Sequence, residues 1–301
     1  MKICIFGGQG FIGSALAKRC KADNFHVDIF TQGIVNKKKA ISVNKKIYKI
    51  KYNEKNFKKI IKKKYDQIFF FSGNSNQEMS KNDIYFDLNM TFLIFTELLE
   101  AARKSFYKGN IWFASSVVVY GEKNKKLSEN TNCSPISFYA FAKYISEILC
   151  SFYVKNFKLN IGILRIFSTY GPGLKRQVVF DIINKIKSGK NFNLFGTGKE
   201  KRDFSFIDDQ VNSIFSLMLS LKKPKNDIYN IASGKGYSIK NILDELVKIS
   251  KFRKKIKFMG TMRNFDTRNF IADIKKLKNK ISYKQTTLKA GLKLTFDSII
   301  H

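Results

Sequence analysis

Residues 2–20 read KICIFGGQGFIGSALAKRC, and this stretch decides the fold. A short apolar run, Lys2 to Phe6, leads at once into Gly7, Gly10 and Gly13 at three-residue spacing. SALAKRCKADNF follows with apolar positions at helical intervals, and then a second apolar run, HVDIF, at 26–30. Strand, glycine turn, helix and strand within about thirty residues make a βαβ unit. Glycine permits a tight turn and lets backbone approach a pyrophosphate, while the helix N-terminus turns its positive end towards that charge. The pattern predicts a dinucleotide site at Gly7, Gly10, Phe11, Ile12 and Gly13.

Further apolar strands are expected at YDQIFFFSG, GNIWFASSVVVYG and LNIGILRIF. Between them lie two apolar helices, DLNMTFLIFTELLEAARK and FYAFAKYISEILCSFYVKNF, the second with Ser134-Pro135 before it as a start signal. Alternating strands and helices predict an α/β fold, a doubly wound and mostly parallel sheet. After YGPG at 170–173 the pattern is less regular. A dinucleotide-binding domain over 1–170 and roughly 203–232 is expected, with a smaller interleaved C-terminal α/β substrate lobe over 171–202 and 233–301.

At the end of the second strand stand Thr31 and Gln32, where an acidic residue would grip a ribose 2′-hydroxyl. Asp28 comes three residues too early. The missing carboxylate removes repulsion against a 2′-phosphate, and Lys37 to Lys39 could supply positive charge. NADP(H) is therefore expected over NAD(H).

Composition bounds the rest. A chain of 301 residues, 44% hydrophobic and 26% charged, can bury a full core. Lysine and arginine total 56 against 23 acidic residues, a net charge of +33. Only eight of the cations are arginine, and they run along the whole chain, so nucleic acid is not the expected partner. No apolar run approaches the ~20 residues of a membrane helix. The four cysteines are scattered, with no CxxC and no signal-peptide layout, which predicts a reduced, cytoplasmic protein. Two histidines argue against a histidine triad or a zinc site, and no metal is expected.

The helix FYAFAK places Tyr139 and Lys143 four residues apart, on one face. Thirteen tyrosines in so lysine-rich a chain should give about two such pairs by accident. This is the only one, and it follows a strand ending in Ser115-Ser116. Serine, tyrosine and lysine in that order, after an N-terminal glycine turn, resemble the short-chain dehydrogenase/reductase superfamily. The resemblance is closest to its extended branch, the NAD-dependent epimerase/dehydratase family of nucleotide-sugar enzymes, with a Rossmann sheet. GGQGFIG, DLNMTF, ASSVVVYG, FYAFAK, LRIFSTYGPG, GTGKEKRDFSFIDD and RNFDTRNFIADIKKL each resemble a family block, and together they span nearly the whole chain.

The resemblance implies Ser116, Tyr139 and Lys143 as catalytic residues, with Asn89, Tyr139 and Lys143 also near the cofactor. A free phenol has a pKa near ~10. The Lys143 ammonium and a nicotinamide charge would favour the phenolate, so Tyr139 could exchange a proton with a sugar hydroxyl while Ser116 bonds the same oxygen. On the substrate side the resemblance implies Arg202 and Arg263 at a diphosphate, Asn193 and Phe195 at a base, and Ser168 where asparagine is usual. The partner is then a nucleoside-diphosphate sugar, and a homodimer is the family expectation. Family dehydratases carry Asp-Glu after the serine, where this chain has Val117-Val118, so dehydration is not expected. Two reactions remain, reduction of a 4-keto sugar and 4-epimerisation with retained NAD. The NADP expectation favours the 4-ketoreductase. A more distant alternative is a non-catalytic dinucleotide-binding or RNA-binding relative.

Overall fold

The computed structural model describes residues 1–35, 47–74, 83–261 and 269–300. The chain forms two compact units. The first comprises Met1–Gly121, Asn132–Ile166 and Val211–Tyr229, and the second Glu122–Thr131, Phe167–Gln210 and Asn230–His301.

The first unit is built on a seven-stranded sheet. Its strands are β1 (Lys2–Phe6), β2 (His26–Thr31), β3 (Ile47–Lys49), β4 (Gln67–Phe70), β5 (Asn110–Ser116), β6 (Asn160–Ile166) and a last strand, Ile228–Ile231, within which the unit ends. In spatial order they run Ile228–Ile231, β6, β5, β4, β1, β2, β3. The order reverses beside β1, so the sheet is the doubly wound Rossmann arrangement. Parallel register pairs Ile5 with Ile29 and Phe69, and Ser116 with Ile166.

Strand alternation sorts the core. Cys4 and Phe6 point to one face, into an aromatic cluster with Phe30, Tyr52, Phe57, Phe70, Phe95 and Phe113. Ile3 and Ile5, equally buried, point to the other face. The helices here include α1 (Phe11–Ala22), α2 (Glu54–Ile61), α3, α4 (Phe138–Phe157) and most of Ile207–Ser220. α3 has three parts, Ile84–Asp87, a π-helical stretch Leu88–Leu93, and Ile94–Lys104. Such π-stretches concentrate at functional sites.

Several expectations shift locally. α4 spans the expected residues, but its N-cap is Ser137, whose hydroxyl accepts from the Ala140 N–H at 3.2 Å, and not Ser134-Pro135. Of the apolar stretch GNIWFASSVVVYG, the strand takes Asn110–Ser116, ending at the expected serines, and Val117–Tyr120 coil into a 3₁₀ turn. The short strand β3 carries too little periodicity to be seen in sequence.

In the second unit β9 (Lys201–Phe206) is central. It pairs with Ser168–Tyr170 (β7), Gly236–Ser238 and Asn269–Phe270, while Phe192–Leu194 (β8) pairs separately with Ile256–Phe258. Helices Gln177–Lys187, Ile239–Ser250 and Leu288–Ile300 pack on one another. Buried Asp203 on β9 ties the unit together. One oxygen accepts from Ser233 N and Oγ at 2.7 and 2.6 Å, the other from Gly234 N and Ala272 N at 2.8 and 3.3 Å.

Candidate active site

The glycine turn has the shape a pyrophosphate requires. Gly7 sits at φ +79°, and its carbonyl accepts from the Gly10 N–H at 2.9 Å. A Cβ at Gly13 would lie 2.6 Å from the Gly7 carbonyl oxygen, and one at Gly8 would lie 2.6 Å from the Ile29 side chain. The helix N-cap is Gly10, with no side-chain cap and no acidic residue in the first turn. Helix geometry leaves the N–H groups of the first turn, including those of Phe11, Ile12 and Gly13, without intrahelical acceptors. A dinucleotide's phosphates fit this uncapped end.

At the end of β2 the Thr31 hydroxyl accepts from the Gly33 N–H at 3.2 Å, so it is engaged by its own turn. The residues next in line are Gln32, Gly33, Ile34 and Val35, none of them cationic. Lys37 to Lys39 lie outside the described residues.

The Tyr139–Lys143 pair lies on α4, which packs against β5 and the 3₁₀ turn that follows it. Lys143 is buried, and its Nζ donates to the Ala114 carbonyl at 2.8 Å, two residues before Ser116. The same Nζ lies 5.0 Å from the centre of the Phe113 ring and 6.0 Å from that of Tyr139. Ser116 and Tyr139 are both half-buried, and Ser116 has extended backbone at the strand end. The structure thus gathers the end of β5 and the Tyr139–Lys143 face of α4. Burial pulls Lys143 down to about 8, while the carboxylates of Asp87 and Glu147 act to raise it.

Two supporting arrangements were not read from the sequence. Glu147, one turn beyond Lys143, accepts from Arg165 of β6 at 2.6 Å and from the Ser115 hydroxyl. Asp87, wholly buried at the end of the first part of α3, accepts from Asn74 Nδ2 at 2.8 Å. The Glu147 signal was available as a third residue at four-residue spacing on the Tyr139–Lys143 face. Asp87 showed only as an acid inside an apolar helix. Asn89, expected near the cofactor, is exposed on the π-stretch and does not join this buried group.

Ser168, Asn193, Phe195 and Arg202, expected on the substrate side, lie in the second unit. Ser168 is half-buried and pairs with Phe204 across β7 and β9. Asn193 is exposed on β8, and Phe195 just after it is 45% exposed. Arg202 is half-buried on β9, in register with Tyr237 on one side and Phe270 on the other. Arg263 lies outside the described residues.

Residues 3–232 match the family model described as NAD dependent epimerase/dehydratase family. An uncharacterized UDP-glucose epimerase, YtcB, of Bacillus subtilis is 31% identical over 97% of this chain and 96% of its own. UDP-glucuronic acid 4-epimerase from Bacillus cereus, solved with UDP-glucuronic acid and NAD, superposes with a TM-score of 0.89 at 28% identity, covering 99% of both chains. A mutant of that enzyme, solved with UDP-4-deoxy-4-fluoro-glucuronic acid and NAD, gives a TM-score of 0.90 at 27% identity, again over 99% of both chains.

These findings correct the expectation of NADP(H). The matching family is NAD dependent, and the related structures hold NAD. The physical reason is that a missing carboxylate at Thr31 removes one ribose contact without creating a phosphate site. A 2′-phosphate needs fixed cations, and residues 32–35 offer none. The glycine turn, the serine-bearing strand and the tyrosine–lysine helix agree with the family match, and the chain belongs to the NAD-dependent epimerase/dehydratase family.

Proposed function

We propose that the chain is a nucleotide-sugar 4-epimerase that retains NAD and acts on UDP-linked hexoses or hexuronic acids. The observation that carries this is the Lys143 ammonium, fixed to the Ala114 carbonyl beside Tyr139 and two residues from Ser116. The relatives named above as UDP-sugar epimerases support the substrate class. The 4-ketoreductase that the sequence reading favoured drew that preference from NADP and loses it with NAD.

NAD, when bound, supplies a reversible hydride acceptor at its nicotinamide. Gly7, Gly10, Phe11, Ile12 and Gly13 would hold its pyrophosphate, and Thr31, Gln32 and Asn89 would lie along the rest of it. Tyr139 takes the proton of the sugar 4-hydroxyl and later returns it, and Ser116 hydrogen-bonds the same oxygen. Lys143 favours the phenolate and offers N–H donors to ribose hydroxyls. Arg202 and Arg263 are the guanidinium candidates for the diphosphate, which such groups suit by bidentate recognition, and Ser168, Asn193 and Phe195 are those for sugar and base. Val117 and Val118 follow Ser116, so no carboxylate stands there to remove a carbon-bound proton or to protonate a departing hydroxyl.

Incubation with UDP-glucose and with UDP-glucuronic acid tests the proposal. Exchange between C4 isomers, without net change in free NADH, is expected. Stoichiometric NADPH oxidation by a UDP-4-keto sugar, with no isomer exchange, would establish the reductase instead.

We also infer a homodimer. Phe141, Ile148 and Phe152 are exposed at helical spacing along one stripe of α4, and Leu93 is exposed on α3, which packs beside it. A second copy of this stripe is the expected occupant, since a two-fold dimer pairs the same patch on both subunits. Light scattering showing a monomer at micromolar concentration would refute it.

A further inference from the structure

The buried charges around Lys143 do not balance without Asp87. Lys143 and Arg165 are the cations, 4% and 3% exposed. Glu147 is one anion, and its carboxylate is already engaged. Arg165 donates to it from both Nε and Nη2, and Ser115 adds its hydroxyl. Lys143 itself meets a neutral acceptor, the Ala114 carbonyl, and the face of Phe113. One further buried anion, Asp87, has no exposed surface and lies on the first part of α3, which packs against α4; it acts on Nζ through space, with no direct ion pair between them among the described residues. Asn74 occupies one Asp87 oxygen, and the other, Oδ2, is enclosed and accepts no hydrogen bond among the described residues. Tyr139 is the remaining titratable group at Lys143 on its own helix, with the Cys150 thiol further along beyond Glu147.

A lone buried cation is costly, and a lysine escapes that cost by losing its proton. Glu147 cannot neutralise two cations at once. We propose that Asp87 is the counter-ion of Lys143, a positioning residue that keeps the ammonium charged and in place beside Tyr139. The role in turnover rests on the epimerase proposal, whereas the through-space pairing of the two charges does not. Asn74 fixes the rotamer of Asp87, and the π-stretch starting at Leu88 begins directly after it.

The test uses the NAD-loaded enzyme and UDP-glucose. Asp87→Asn keeps the shape and the Asn74 contact but removes the charge. Lys143 should then lose its proton more easily, so the alkaline limb of the rate-against-pH curve should move down by about one pH unit. A purely structural role would lower the rate without moving the limb. A melting-temperature cycle over Asp87→Asn, Lys143→Met and the double variant reads the pair without activity, and the double variant should recover at least part of the loss. An unmoved alkaline limb, or melting-temperature changes that simply add, overturns the proposal. Should Asp87→Asn not fold, a soluble double variant supports the counter-ion and an insoluble one overturns it. If the wild type turns over neither UDP-glucose nor UDP-glucuronic acid, the epimerase proposal fails, and the melting cycle alone decides the charge pairing.

Discussion

Arg165 closes on Glu147 beneath the serine strand, with Nη2 2.6 Å from Oε2 and Nε 3.1 and 3.2 Å from the two carboxylate oxygens. Both side chains are 4% exposed. Breaking a buried pair strands the surviving charge. Glu147→Gln should cost about 3–5 kcal/mol in chemical denaturation. Glu147→Gln combined with Arg165→Met should recover much of that loss, and equal losses in the single and double variants would show that the pairing is not what Glu147 contributes.

Tyr139→Phe removes only the phenolic oxygen from a helix that keeps its cap and its packing. Turnover of UDP-sugar should fall by ~10²–10⁴-fold, the usual worth of a positioned acid or base. NAD released on denaturing the purified variant should match wild type, because the glycine turn is untouched. Turnover at the wild-type rate would remove Tyr139 from the chemistry.

Gly13 has no room for a methyl group, since its Cβ would lie 2.6 Å from the Gly7 oxygen and 3.0 Å from the Gly8 Cα. Those neighbours are the backbone of the turn, so the turn must move. Gly13→Ala should weaken NAD binding by about tenfold or more, read by calorimetry on the NAD-stripped protein.

Glu100 gives the first unit an acid-sensitive element. Chiefly the Arg103 guanidinium, with help from the Tyr153 hydroxyl and Lys104 and against the effect of burial, holds its carboxyl at about 2 instead of 4.5. Between those values the unfolded chain binds a proton that the folded one does not, so this contribution is present above 4.5 and is lost as pH falls towards 2. Glu100→Gln should flatten the melting temperature against pH over that window. An identical slope in wild type and variant would contradict it.

Asp203 carries the opposite sign. Burial pushes its carboxyl up to about 6 from 3.8, although Ser233, Ala272 and Gly234 donors pull it down. Its contribution is full below 3.8 and is lost as pH rises through about 6. Asp203→Asn puts an amide N–H₂ against two of those donors, and should cost about 1–3 kcal/mol for each donor orphaned, measured at pH 7.

Much of the fold was legible because its first βαβ unit is local. KICIF, the glycine triplet and the following helix announce themselves by spacings of two, three and 3.6 residues, and α4 runs over the twenty residues its apolar pattern marks. The β-branched run Val117–Val119 after the serines looks like more strand in sequence, yet it forms a 3₁₀ turn that Gly121 ends at φ +65°. The NADP expectation failed because an absent acid says nothing about where cations stand.

The sequence by itself determined the glycine turn, the sheet order's starting unit and the tyrosine–lysine face, since each is set by neighbours within one or two turns of chain. Only the tertiary structure decided what holds that face in place. Lys143 reaches Ala114, 29 residues away, Glu147 reaches Ser115, 32 residues away, and Asp87 reaches Asn74 from the next segment of the sheet layer. Such partners become neighbours only when helices close over the sheet. Burial then turns ordinary side chains into charges that must be matched, which local periodicity cannot encode.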